Sequence, residues 1–164
     1  MVRKTAYYGL FLALALVLSY VEAMIPFSFG IPGVKLGLAN SMTLFILYMG
    51  TPLAALGILV LRIVLSGFMF GNLFGILYGM AGGLFSFLMM LLAKKSKKLS
   101  VYGVSMTGGV CHNIAQVAVA ALIVQNATWL RYMPVVLVSG ILTGLLIGII
   151  SAEILRRIPK NWKL

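Results

Sequence analysis

The sequence predicts an all-α integral membrane protein, a bundle of six transmembrane helices with both termini in the cytoplasm. Three observations point there: 62% of the 164 residues are hydrophobic, the apolar runs are continuous, and the charges gather between those runs. Soluble domains are about 45–50% apolar and about 25% charged; here only 9% of residues are charged and the mean hydropathy is +1.12. A soluble fold would have to expose large apolar patches, and disorder requires low hydrophobicity. A β-barrel needs alternating apolar and polar residues, whereas residues 10–18 and 53–61 are apolar throughout. Six helices of about 20 residues use about 120 positions. A chain of 164 therefore reads as one six-helix domain over residues 1–164, with no separate soluble domain.

The first helix is expected over residues 5–25, stopped by Pro26. Its Arg3-Lys4 start resembles a signal peptide, but the apolar run is too long and too poorly ended for cleavage. Residues 26–35 (PFSFGIPGVK) form a Gly/Pro-rich loop. The second helix follows over 36–50. Thr51-Pro52 makes a tight turn, with proline at a helix start where its missing N–H costs nothing. The third helix covers 53–66, and 67–72 is a short connection. The fourth covers 73–93 and ends at the charged loop Lys94-Lys95-Ser96-Lys97-Lys98. The fifth covers 101–125, the sixth 130–155, and a basic tail follows.

Charge orients this bundle. With the N-terminus in the cytoplasm, inner segments hold ten basic residues: Arg3, Lys4, Lys94, Lys95, Lys97, Lys98, Arg156, Arg157, Lys160 and Lys163. Outer loops hold only Lys35 and Arg131. That asymmetry satisfies the positive-inside rule. The net charge of +11 therefore reflects topology, not nucleic-acid binding. The lone Cys111 lies within an apolar run and cannot form an internal disulfide.

Several polar residues remain inside the apolar runs, where ionisable groups are costly and usually face the bundle interior. Glu22, Asn40, Arg62 and Asn72 fall in the outer half of the expected helices. His112, Asn113 and Gln116 fall near the middle of the fifth, within about 100° of helical arc. Tyr78 joins them if it shares the inward face of Asn72. Two readings stand for each. Glu22 and Arg62 form a structural ion pair or line a cavity. His112 and Gln116 join helices or contact a ligand. Asn40 and Asn72 cap helices or orient a ligand. Lys35 snorkels to the interface or meets an anion. Their common depth favours a cavity open to the outside, neutral to positive, suited to a phosphate or carboxylate.

Small residues recur at four-residue spacing: Gly9/Ala13 and Ala15/Ser19/Ala23 in the first helix, Gly71/Gly75/Gly79/Gly83 in the fourth, and Gly140/Gly144/Gly148/Ala152 in the sixth. Such ladders let helices approach closely, either within the bundle or, for the first helix, against a partner membrane protein. The sequence has no Walker A motif, no Cys/His metal cluster and no Asp, hence no Ser-His-Asp triad and no Asp-rich diphosphate motif. A non-enzymatic role without cofactor or metal follows.

The stretch GIPGVKLGLAN (30–40), Leu61-Arg62, FGNLF (70–74), Ala81-Gly82-Gly83 and Cys111-His112-Asn113 with Gln116 resemble the bacterial membrane family called heptaprenyl diphosphate synthase component I, or Gx transporter. That family is similar to the S components of energy-coupling-factor (ECF) transporters. The resemblance implies a six-helix fold in the bacterial cytoplasmic membrane and an outer substrate pocket gated by the loop after the first helix. It also implies a small-residue motif on that helix that docks a transmembrane coupling protein driven by cytoplasmic ATPases. The expected ligand is a small anionic or amphipathic molecule: a vitamin, a flavin or an isoprenoid- or quinone-related compound. Residues 26–35 would form the lid, Lys35 and Arg62 would meet the anion, Asn40, Asn72, Asn113 and Gln116 would orient it, and His112 would form the floor. Gly9, Ala13, Ala15 and Ser19 would dock the partner. Other roles open to the chain are an accessory subunit of prenyl diphosphate or quinone synthesis, a solo ion-coupled carrier, or a purely structural membrane partner.

Overall fold

A computed structural model describes residues 2–24, 37–125 and 131–158. Among these residues the chain forms six helices and no strand: α1 (Val2–Met24), α2 (Asn40–Met49), α3 (Pro52–Phe70), α4 (Leu73–Lys95), α5 (Val101–Val124) and α6 (Met133–Arg157). Five of them are long and apolar enough to cross a membrane. The chain is therefore a multi-pass membrane protein in architecture.

Local chemistry sets the helix starts. Thr51 Oγ1 accepts the Ala54 N–H at 3.2 Å ahead of Pro52. Asn72 Oδ1 accepts the Gly75 N–H at 2.7 Å, and Ser100 Oγ accepts the Gly103 N–H at 3.4 Å. Each bond satisfies one of the donors a helix start leaves without an internal partner. α5 ends at Gln125, which takes a left-handed conformation (φ 51°).

Two expected boundaries are corrected. The connection expected over 67–72 is mostly helix: α3 runs on to Phe70, and only Gly71 and Asn72 join it to α4. Gly67 is a packing glycine, not a helix end. A Cβ there would overlap the side chain of Ile76, so the missing side chain lets α3 and α4 close together. The second correction concerns the helix expected over 36–50, which begins only at Asn40. Gly37 stands at φ +71°, a left-handed backbone that interrupts a helix. At about 1.5 Å per residue, the ten residues of α2 span half a bilayer core.

The helices run alternately up and down. α5 packs most extensively on α6 and α4, α4 on α3, and α2 lies against α3 and α6. α1 packs chiefly on α3 and more lightly on α2. The small-residue ladder of α6 is buried against α5: a Cβ at Gly140, Gly144 or Gly148 would come within 2.7–3.0 Å of Val110, Met106 or Tyr102 Cα. That ladder serves internal packing.

Depth divides the bundle. At one end stand Lys4, Lys94, Lys95, Lys97, Lys98, Arg156 and Arg157, while Arg131 stands before α6 at the other. The basic half holds the apolar core, including Phe11, Ala15, Leu44, Phe45, Leu47, Ile58, Leu59 and Val104. Phe11 and Phe45 meet there with ring centroids 5.2 Å apart. Lys94, expected in a free loop, lies in the last turn of α4. Its Nζ donates to the Leu47 carbonyl and sits 4.9 Å from the centroid of the Tyr48 ring. The end of α2 is thereby tied to the end of α4, while the start of α2 lies at mid-depth, beside Arg62 of α3.

Candidate functional site

The other half of the bundle contains a polar cavity of about 130 Å³. α1 supplies Ser19, Glu22 and Ala23, and the turn into α2 supplies Gly37 and Asn40. α3 supplies Arg62, Ile63, Ser66, Gly67 and Phe70; α4 contributes Gly75 and Gly79, with Gly71 just before it; α5 supplies His112 and Gln116. Five stretches of chain therefore converge on one space.

A chain of hydrogen bonds crosses it. The Glu22 carboxylate accepts the N–H of Gly37. The Gly37 carbonyl accepts the Asn40 N–H at 2.8 Å. Asn40 Oδ1 then accepts from Arg62 Nη2 at 3.0 Å. Glu22 and Arg62 are thus linked through the backbone of the α2 turn. The left-handed conformation of Gly37 sets this turn.

The electrostatics lean positive. Arg62 lines the cavity, and its Nε is shielded from solvent with no hydrogen-bond partner among the described residues. The start of α2 faces the same space through Asn40; its first two N–H groups, of Asn40 and Ser41, donate to the Gly37 and Leu38 carbonyls, so its contribution is the helix dipole and not free donors. A helix N-terminus carries roughly half a positive charge. Starting a helix at mid-depth brings that partial charge to the cavity instead of to the membrane surface. Glu22 opposes it, with its carboxylate already engaged by an N–H. Ser19 Oγ is a second shielded group without a partner among the described residues.

α5 forms the far wall. His112 and Gln116 also line a smaller space of about 30 Å³, shared with Gly37, Asn40, Gly109, Asn113, Thr143 and Ile147. They are partition residues between two polar spaces. Gly82 of α4 makes room for them: a Cβ there would stand 2.9 Å from His112 Cε1 and Gln116 Cγ. Asn113 is buried, and its Nδ2 donates to the Val136 carbonyl at 3.0 Å and to Ser139 Oγ at 3.2 Å. It therefore ties α5 to α6 from the edge of the smaller space.

Of the expected site residues, Glu22, Asn40, Arg62, His112 and Gln116 meet at the larger cavity, with Asn113 behind them. Asn72 is exposed and caps α4. Tyr78 is not among the lining residues; it stacks on Phe74, with centroids 6.0 Å apart and planes at 17°. Lys35 and the expected lid over 26–35 lie outside the described residues.

The four expected docking residues do not share a face. Gly9 and Ala13 are exposed, Ala15 is fully buried, and Ser19 lines the cavity. Gly37 and Ser66 are lining residues that polarity alone did not select. The signal for Gly37 was its place two residues after Lys35, within a run of three glycines over 30–37.

No curated protein and no solved structure matches the chain. A family model does, over residues 11–154, which covers every described residue of the cavity. The chain belongs to the family described as heptaprenyl diphosphate synthase component I.

Proposed function

We propose that the chain is a ligand-capturing membrane subunit of the S-component kind, operating in the bacterial cytoplasmic membrane with both termini in the cytoplasm. It takes a small anionic or amphipathic ligand from the outer side. A transmembrane coupling protein and cytoplasmic ATPases supply the energy that this chain has no motif to extract from ATP. The observation that carries this reading is a positive-leaning cavity confined to one half of an otherwise apolar bundle. Arg62 and the start of α2 receive the negative group, Asn40 holds Arg62 in place, and His112 and Gln116 form the far wall. Asn72 and Tyr78 support the start of α4 beside the opening. Gly9 and Ala13 present the outward face of α1 to a partner.

A second reading is favoured by the family description itself, which names a component of a synthase. In it, the chain anchors a soluble prenyl diphosphate synthase to the membrane. Affinity purification in mild detergent, followed by native mass spectrometry, separates the two. Co-purification of an ATPase-bearing coupling module and a small molecule released from wild type but not from Arg62→Ala supports capture. An empty chain accompanied by a soluble prenyl synthase supports anchoring and removes the capture reading.

A further inference from the structure

The shape of the opening adds a constraint on the ligand. Three cavity-lining residues are exposed: Ala23 near the end of α1, Gly71 just before α4, and Gly75 in its first turn. The mouth therefore lies between the end of α1 and the start of α4, two helices that do not pack extensively on each other. Asn72, exposed between Gly71 and Gly75, and Glu22, next to Ala23, are the polar groups there, and the rest of the surroundings are largely apolar. Met24 and Leu73 are 65% and 70% exposed, and Tyr20 and Phe74 are each 49% exposed. Tyr20 meets Phe70 edge-on across α1 and α3 at 5.6 Å, and Phe74 stacks on Tyr78 on the α4 side. Tyr is enriched at membrane–water interfaces, and Tyr20 and Tyr78 flank the mouth. The mouth thus opens at head-group level, at the edge of the hydrocarbon.

Volume sharpens the point. Sites that enclose a drug-sized ligand are about 300–1,000 Å³; this cavity is about 130 Å³. A space of this size matches a head group better than a whole drug-sized molecule. Its cation lies deep, at Arg62 beside Asn40, and most of the exposed side chains around its mouth are apolar. A wholly water-soluble anion gains nothing from such a mouth. A molecule with an anionic head and an apolar tail matches both parts at once.

Resting on the capture reading, we propose that the ligand is a single-tailed amphiphile that enters from the membrane between α1 and α4. Its anionic head reaches Arg62 and the start of α2, and its tail stays on the apolar rim and in the bilayer. Removing water from a head group held by a guanidinium and a helix N-terminus strengthens both attractions. The tail adds affinity for each carbon that leaves water or detergent for the rim.

The test is titration calorimetry of the full chain in neutral detergent with dodecyl phosphate, ethyl phosphate and dodecanol. Dodecyl phosphate should bind at least tenfold more tightly than either of the others, and Arg62→Ala should abolish that preference. Gly75→Leu and Ala23→Leu narrow the mouth from opposite helices. A Cβ at Gly75 meets only Asn72 Oδ1, at 3.3 Å, a contact that the capping side chain must yield slightly to admit. Each should weaken dodecyl phosphate at least tenfold, and by at least threefold more than it weakens ethyl phosphate. Equal affinity for the two phosphates, both lost in Arg62→Ala, overturns the amphiphile and leaves anion capture standing. Dodecyl phosphate binding that survives Arg62→Ala is partition into detergent and overturns the proposal. Binding of none of the three overturns the proposal together with the capture of anions.

Discussion

Arg62 is the residue on which the site turns. It lies eleventh of nineteen in α3, far from either end, and is held by Asn40. A cation at such depth costs about 2.5–3.5 kcal/mol on insertion scales, so replacing it need not unfold the bundle. Arg62→Ala is expected to reduce anion binding more than tenfold while the melting midpoint in detergent moves by only a few degrees. A collapse of the folded state in that variant would identify Arg62 as a structural tie and nothing more. Glu22 tests the sign of the field. Glu22→Gln keeps an oxygen to accept the Gly37 N–H and removes the opposing charge. Affinity for an anionic probe should rise, by about threefold to tenfold for the removal of one nearby like charge; a fall would show that the carboxylate itself contacts the ligand. Polarity in an apolar run exposed both residues in the sequence. Gly37 and Ser19 were not so marked, because glycine signals backbone geometry and a serine in a membrane helix commonly satisfies itself on its own backbone.

At the scale of elements, the α5–α6 pair is the structural spine, and its contact is backbone on backbone. Gly144→Leu would drive a side chain into Met106 Cα, where a Cβ alone would stand at 2.7 Å. Overpacking costs about 1–3 kcal/mol where neighbours can adjust, and a helix backbone adjusts poorly. The melting midpoint should fall by more than for Gly9→Leu, whose Cβ meets nothing within 4 Å. Equal effects would mean that the outward face of α1 is covered in the assembled protein. Helix count and most boundaries were legible in the sequence because apolar length and caps are local signals. The end of α3 was misread because Gly67 looks the same whether it terminates a helix or admits Ile76 from the next one. The start of α2 was misread for a related reason: the left-handed Gly37 is preceded and followed by leucine, and hydropathy runs straight through it.

At the scale of the whole molecule, the basic residues of three helix ends and of the turn between α4 and α5 gather at one end of the bundle and the cavity opens at the other. In the orientation proposed above, which follows the positive-inside rule, the basic end lies in the cytoplasm. In a Cys111→Ala background, Ser96→Cys should react with an impermeant maleimide only after the membrane is permeabilised, and Gly71→Cys should react in intact cells. The reverse pattern would turn the molecule over and make the cavity face inward.

Composition and the order of apolar runs were enough to determine a helical membrane protein, the places where its charges sit, and a short list of polar residues at one depth. These are one-dimensional properties, because the bilayer sorts side chains by hydropathy before any tertiary contact forms. Only the tertiary structure decided which of those residues meet. It separated Asn72 and Tyr78 from the cavity that holds Arg62, and it divided Gly9 and Ala13 from Ala15 and Ser19. It also started α2 in the middle of the bundle, which turns a helix end into part of a binding site. The reason is angular: depth follows from position along the chain, but facing follows from the rotation of each helix, which its neighbours set.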